Sequence, residues 1–190
     1  MRPLSQVAPA ASAPACRSEH PLCRGRCLGR LQGMRRAVCP GSYDPIHKGH
    51  LEIIARATNL FDEVVVAVST NYSKKYMFTE ADRLEMVRES VSGLAGIRVE
   101  GMGDGLLAGF CREVGAEAIV KGLRSSLDYQ YEVPMAAMNR HLTGVETVFL
   151  TADTRYTHLS STLVKEVQAL GGDVSDFLPK AALRRLGTGR

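Results

Sequence analysis

The regular alternation of strand-like and helix-like segments is the feature that most restricts the fold of this chain. Residues 63–68 (EVVVAV) form an uninterrupted apolar run rich in β-branched residues, which is typical of a strand buried on both faces. Shorter strand candidates lie at 37–39, 97–100, 116–120 and 146–150, and helix patterns follow the five strands in turn at 48–60, 79–90, 106–114, 128–142 and 160–170. Five strand–helix rounds predict an α/β fold with a doubly wound, five-stranded parallel sheet of the Rossmann-like kind.

Residues 1–33 differ in composition from the rest of the chain. They are rich in Ala, Pro, Ser and Arg, and their five arginines and single acid account for the whole net charge of +4. We expect a disordered leader before a single domain at 34–190, with Met34 as a candidate natural start. A targeting role is the weaker interpretation, because the amphipathic pattern of this segment is poor.

The balanced charge of residues 34–190 indicates no general affinity for nucleic acid or for anionic membranes. No apolar run approaches the ~20 residues that a membrane-spanning helix needs. The number of cysteines is five, which is odd, and no secretory signal precedes them, so we expect free thiols in a reducing compartment. These observations favour a cytoplasmic protein.

The loop after the first strand, PGSYDPIHKGH at 40–50, combines turn-forming residues with two histidines. Gly41 permits close backbone approach, and Ser42 places a hydroxyl at the end of the strand. His47 and His50 share one face of a first helical turn, which also offers free backbone N–H groups and the positive end of the helix dipole. Two surface histidines or a metal site would explain an isolated H-x-x-H pair. In this loop, phosphate binding is the favoured interpretation.

Other loops bring cations to the carboxyl ends of strands, where parallel α/β sheets bind ligands. The loop after the second strand carries Lys74 and a neighbouring lysine, although a lysine pair is usually only solvated. The fourth strand leads directly into Lys121, Gly122 and Arg124. Two cations around a glycine suit a polyphosphate.

Two further groups of residues allow a structural and a functional interpretation. Asp128 is as well placed to cap the following helix as to serve the site, and Glu132 lies one turn further on the same face. Three hydroxyls at Ser160–Thr162 lie over the first turn of the last predicted helix, where one would suffice for capping. Three together favour a second phosphate-binding turn.

Competing nucleotide and metal motifs are weak or absent in the sequence. It contains no Gly-Lys dipeptide and therefore no P-loop, and GMGDGLLAG at 101–109 lacks the G-x-G-x-x-G spacing. Cys16, His20, Cys23 and Cys27 suggest a zinc site, but the disordered composition around them makes this the weaker interpretation.

Taken in order, these motifs resemble those of a known family. PGSYDPIHKGH resembles the (T/H)-x-G-H signature of the nucleotidyltransferase superfamily. The segments SKKYMFT, VKGLRSSLDYQYE, MNRHL, LSSTLVKEV and GGDVSDFLP are together similar to the bacterial phosphopantetheine adenylyltransferases. The similarity begins near residue 34 and ends near residue 186.

The resemblance implies transfer of the adenylyl group of ATP to 4′-phosphopantetheine, giving dephospho-CoA and pyrophosphate, the penultimate step of coenzyme A biosynthesis. It implies that His50 contacts the α-phosphate and that Ser42 orients the attacking phosphate, with Lys74 beside it. Lys121 is expected to span the phosphates of both substrates. The other implied ATP contacts are Gly41, Tyr43, His47, Gly122, Arg124, Glu132, Tyr156, Leu159, Ser160, Ser161 and Thr162, and the other implied pantetheine contacts are Leu106, Leu107 and Asn139.

The same resemblance implies Mg²⁺ carried on the ATP phosphates, a homohexamer, and inhibition by CoA. Many family members have threonine at the position of His47, which leaves the role of that side chain open. One rival is another small nucleotidyltransferase, acting on nicotinate mononucleotide or on glycerol phosphate. A second rival is a non-catalytic nucleotide- or RNA-binding module whose basic leader binds nucleic acid.

Overall fold

A computed structural model describes residues 33–71 and 73–188 of the chain. The predicted leader at 1–33 lies almost wholly outside the described residues. None of the helices in the described ranges is long and apolar enough to cross a membrane.

Five strands and six α-helices follow one another along the described part of the chain. The strands are β1 (Arg36–Gly41), β2 (Glu63–Val68), β3 (Ile97–Gly101), β4 (Ala118–Leu123) and β5 (Glu146–Thr151). The helices are α1 (Lys48–Ala57), α2 (Glu80–Val91), α3 (Leu107–Glu113), α4 (Ser126–Thr143), α5 (Ser161–Ala169) and α6 (Lys180–Thr188), with a short 3₁₀ helix at Thr154–Tyr156.

The strands form one parallel sheet in the order β3-β2-β1-β4-β5. This confirms the predicted five-stranded, doubly wound α/β fold. The strand order reverses between β1 and β4, because β1 pairs with β2 on one side and with β4 on the other. Ligands of open α/β sheets bind at such a switch point, beyond the carboxyl ends of the strands.

Alternate side chains of the central strands face two separate apolar cores. Ala37 and Val64 point into the larger core, which Ile54 of α1 and Met86 of α2 complete. Their neighbours on the strands point the other way, toward Phe110 of α3. This two-residue alternation is what a strand covered on both faces requires.

Several helix boundaries differ from the sequence prediction. α1 ends at Ala57 rather than at residue 60, and α6 is an additional helix. α4 begins at Ser126 rather than at Asp128, because Ser125 is the N-cap and accepts a hydrogen bond from Asp128 N–H at 3.3 Å. The expected cap of α2 is confirmed: the Thr79 hydroxyl accepts from the backbone N–H of Asp82.

Candidate active site

A cleft of about 280 Å³ lies at the switch point between β1 and β4. It is lined by the end of β1 and the start of α1, by the end of β4, and by the start of α5. Ten of the residues predicted from the sequence line it, namely Tyr43, His47, His50, Lys121, Gly122, Arg124, Glu132, Tyr156, Ser160 and Ser161. The topology therefore brings segments about 120 residues apart in the chain to one site.

The two histidines form a reciprocal cap at the start of α1. His47 is the N-cap residue, and its Nδ1 accepts from the backbone N–H of His50 at 3.3 Å. The backbone N–H of His47 donates in return to His50 Nδ1 at 3.2 Å. The rings are stacked, with centroids 3.5 Å apart and planes 18° from parallel. The arrangement corresponds to a capping box with imidazoles in place of the usual hydroxyl and carboxylate.

Both histidines are held in the neutral form. Burial first, and then the charge of Arg124, lower the pKa of His47 to about 4. Burial also lowers the pKa of His50 well below its ordinary value, and His47 and Arg124 add to this effect. Desolvation disfavours the charged imidazole and a nearby cation disfavours it further. Each ring can therefore donate a hydrogen bond to an anion without carrying a charge.

Tyr43 forms the wall of the cleft beside His50. Its backbone has a φ of 51°, its hydroxyl donates to the carbonyl of Cys39 at 2.9 Å, and its ring meets the His50 ring edge-on. A Cβ on Gly41 would lie 2.8 Å from Tyr43 Cζ. The glycine thus allows the tyrosine ring to pack directly on the strand end.

The two cations of the β4 loop are paired with acids in the cleft. Lys121 forms an ion pair with Glu132 at 3.2 Å. Arg124 forms an ion pair with Asp128 at 3.0 Å and donates to the carbonyl of Leu159 at 2.7 Å. Both cations remain partly exposed, so a phosphate could compete for them.

The three hydroxyls at the start of α5 have three different environments. Ser160 is the N-cap and accepts from the backbone N–H of Leu163 at 3.1 Å. The Ser161 hydroxyl donates to the carbonyl of Pro45 at 2.9 Å, which joins α5 to the loop before α1. Thr162 is exposed. Two of the three hydroxyls therefore have structural partners in the absence of a ligand.

Other predicted residues lie outside the cleft lining. The carbonyl of Ser42 accepts from the buried guanidinium of Arg83 at 2.6 Å, and Lys74 is exposed in a turn closed by its N–H to Asn71. Among the described residues, those predicted for the site but absent from the cleft lining are Gly41, Ser42, Lys74, Leu106, Leu107, Asn139, Leu159 and Thr162. Leu106 is exposed, whereas Asn139 and Leu159 are buried.

Asp44 supports the site, although its position before Pro45 in the sequence indicates only a turn. Its side chain is almost fully buried and accepts from the backbone N–H groups of Met77 and Phe78. It also forms an ion pair with Lys165 of α5 at 2.8 Å. One carboxylate thus fastens together the loop before α1, the loop before α2, and α5.

Comparisons with known proteins agree on the class of protein. The profile of the cytidylyltransferase-like family matches residues 38–167. A phosphopantetheine adenylyltransferase of Renibacterium salmoninarum is 68% identical over 157 residues, which cover 83% of this chain and 98% of the relative. The phosphopantetheine adenylyltransferase of Paenarthrobacter aurescens is 69% identical, and the match covers 80% of this chain and 92% of the relative. That of Micrococcus luteus is 65% identical, and the match covers 82% of this chain and 99% of the relative.

A solved structure supports the fold independently of sequence. The structure of a candidate nicotinate-nucleotide adenylyltransferase from Vibrio parahaemolyticus superposes on this chain with a TM-score of 0.60. The superposition covers 81% of this chain and 99% of the other chain. At 15% sequence identity, this likeness establishes the shared fold alone.

Proposed function

The chain belongs to the phosphopantetheine adenylyltransferase family, and from this premise we propose how its cleft transfers the adenylyl group of ATP to 4′-phosphopantetheine. The products are dephospho-CoA and pyrophosphate. The observation that carries the proposal is the meeting of His50, Lys121 and Arg124 with the start of α5 in one cleft at the switch point. All are groups that bind phosphate oxygens.

The chemistry of the reaction suits a site of this composition. The attacking group is already a phosphate anion, so the site needs no general base. The barrier comes from negative charge that accumulates around the α-phosphorus as one phosphate attacks and pyrophosphate leaves. Catalysis then consists of positioning and electrostatic stabilisation by fixed donors and cations.

On the ATP side, we assign the α-phosphate to His50, whose ring lines the cleft at the start of α1. Arg124 and the Ser160–Thr162 turn are assigned to the β- and γ-phosphates, because Arg124 donates to the carbonyl of Leu159, directly before this turn, and lines the cleft together with Ser160 and Ser161. The adenosine pocket is assigned to Gly41, Tyr43, Gly122, Glu132, Tyr156 and Leu159. A bound nucleotide would compete with Asp128 for the guanidinium of Arg124.

On the acceptor side, Lys121 is proposed to span the phosphates of both substrates after release from Glu132. Ser42 is proposed to orient the attacking phosphate, with Lys74 beside it. The pantetheine arm is assigned to Leu106, Leu107 and Asn139. The exposure of Lys74 and Leu106 supports their availability to a ligand.

Magnesium is proposed to enter with ATP. The described residues contain no group of three or more His, Cys, Asp or Glu side chains arranged to hold a metal. Binding mainly through substrate phosphates is the usual mode for this small, strongly hydrated cation. When bound, it would neutralise part of the triphosphate charge, while the positioning falls to the residues named above.

Self-association is proposed from the exposed apolar side chains of α4. Only Asn139 among the residues of this helix is buried, and its large apolar side chains include Leu127, Tyr131, Met135, Met138 and Leu142, all about half exposed or more. Such a surface is typical of an interaction site. It supports self-association of this chain, whereas the homohexamer, the cytoplasmic location and the inhibition by CoA are proposed from the family resemblance alone.

An acceptor panel tests the proposed function. The full chain is incubated with MgATP and one acceptor in each reaction: 4′-phosphopantetheine, nicotinate mononucleotide or glycerol 3-phosphate. Pyrophosphate release is followed, and the mass of the product is measured. We expect dephospho-CoA from the first acceptor and little turnover of the others. Turnover of nicotinate mononucleotide without turnover of 4′-phosphopantetheine would overturn the assignment.

A further inference from the structure

We propose that His47 is a positioning residue for His50, and that their stacked, mutually capped pair holds His50 as the imidazole protonated on Nε2. The proposal concerns the ring orientation and tautomer of His50, and it rests on the proposed function only for its consequence in catalysis. Its evidence is the geometry at the start of α1.

The hydrogen bonds determine which nitrogen carries the proton. His50 Nδ1 accepts from the backbone N–H of His47, and His47 Nδ1 accepts from the backbone N–H of His50. A nitrogen that accepts a hydrogen bond cannot carry a proton at the same time. In a neutral imidazole the proton then belongs to Nε2. Each ring therefore presents an Nε2–H donor at the edge away from the backbone.

The stack restricts rotation of the His50 ring. The His47 ring covers one face at 3.5 Å, and the Tyr43 ring meets it edge-on with centroids 5.1 Å apart. Glycine at residue 49 leaves room for the His47 ring, since a Cβ there would lie 3.1 Å from His47 Nδ1, closer than an ordinary contact. The His50 ring is thus fixed both by its Nδ1 bond and by two aromatic neighbours.

The same geometry opposes protonation of either ring. A second proton would have to go onto Nδ1, where it would replace an accepted hydrogen bond with a contact between two N–H donors. It would also place a charge against the stacked partner ring. The charged groups that line the cleft around the pair are Lys121, Arg124, Asp128 and Glu132. The two acids are already paired with the two cations.

For adenylyl transfer, this makes His50 a fixed neutral donor. Its Nε2–H can hold an oxygen of the α-phosphate as negative charge develops there, and no proton is transferred. A donor fixed before the reaction costs no reorganisation during it. A threonine at position 47 would supply a cap acceptor but no ring, so His50 would lose the stack.

Nuclear magnetic resonance of the full chain, labelled with ¹⁵N-histidine, tests the proposal directly. Long-range ¹H–¹⁵N correlations distinguish the two tautomers, and His50→Gln and His47→Gln variants assign the two signals. We expect an unprotonated Nδ1 and a protonated Nε2 on both residues, unchanged from about pH 5 to about pH 8. A proton on His50 Nδ1, or titration of His50 within that range, would overturn the proposal.

Two variants of His47 separate the ring from the cap. His47→Thr keeps a cap acceptor and removes the stack, so we expect the His50 signals to shift and kcat to fall about tenfold to a hundredfold, with a smaller change in the KM for ATP. His47→Phe keeps a stacked ring without Nδ1, so the His50 tautomer should survive, and kcat should fall less than in His47→Thr.

A matched control removes a helix cap elsewhere. Thr79→Ala deletes the cap hydroxyl of α2 and should leave the His50 signals and kcat as in the parent protein. Unchanged His50 signals and kcat in His47→Thr would overturn the positioning role. The resonance readout does not depend on the acceptor, so an incorrect substrate assignment would show only in the acceptor panel.

Discussion

Replacing Asp44 by asparagine removes a buried negative charge with little change in side-chain volume. The carboxylate is 3% exposed and accepts from the backbone N–H groups of Met77 and Phe78. It also accepts from Lys165 Nζ at 2.8 Å. An amide has one oxygen acceptor, and its NH₂ group would face a backbone N–H or an ammonium. The variant therefore leaves at least one of these donors without an acceptor.

The expected cost follows from these contacts. A hydrogen bond to a charged group contributes about 1.5–3 kcal/mol, and breaking a buried ion pair costs about 3–5 kcal/mol. Because the side chain of Lys165 is 27% exposed, water can partly solvate its ammonium group once the ion pair is broken. We therefore expect a loss of about 3 kcal/mol in the free energy of unfolding. For a chain of this size that corresponds to a fall in Tm of about 6–12 °C.

Thermal and urea unfolding of three variants checks this value. Lys165→Met keeps the two backbone bonds to Asp44 but leaves the buried carboxylate without its cation, so it should also destabilise the protein, while the double variant should cost less than the sum of the two. Glu146→Gln is the matched control, because its pair with Arg140 is exposed and should contribute at most about 1 kcal/mol. A Tm of Asp44→Asn within about 2 °C of the parent would refute the reasoning.

Three further perturbations test other parts of the structure. Gly41→Ala places a Cβ 2.8 Å from the Tyr43 ring and should cost about 1–3 kcal/mol in urea unfolding; an unchanged midpoint would contradict that contact. Burial raises the pKa of Cys39 to about 12, so peptide mass spectrometry at pH 8 should find it alkylated only after unfolding. Modification of Cys39 in the folded protein would show that the thiol is accessible. Arg35 lowers the pKa of Asp62 to about 2 from an ordinary 3.8, so its stabilisation is present above the ordinary value and is lost as the pH falls toward 2. Tm should decrease over that interval, and by less in Asp62→Asn; identical profiles would contradict the ion pair.

The fold was accessible from the sequence because its signals are local. The β-branched run of β2 and the helix patterns between strands depend on neighbouring residues alone. The prediction missed helix α6. Ala182, Leu183 and Leu186 have helical spacing, but the alternation of strands and helices does not require a further helix at this point of the chain. The relation between the two histidines was also within reach, because H-x-x-H has the spacing of a capping box.

Other features of the site depend on contacts that sequence spacing does not reveal. Asp44 meets partners 33 and 121 residues away, so its burial follows from the assembled sheet. Ser160, Ser161 and Thr162 are adjacent and chemically similar, yet one caps a helix, one bonds Pro45 and one is exposed. Side-chain pairing in the finished fold, rather than local propensity, decides these roles.

Turnover and ATP binding by His50→Ala, measured side by side, test most directly how the cleft performs adenylyl transfer. The His50 contact should strengthen in the transition state, so we expect kcat with 4′-phosphopantetheine to fall by at least about a hundredfold, while the Kd for MgATP changes by less than about tenfold. His141→Ala removes an exposed histidine of α4 and serves as the control. A near-normal kcat in His50→Ala would contradict the central role given to this residue.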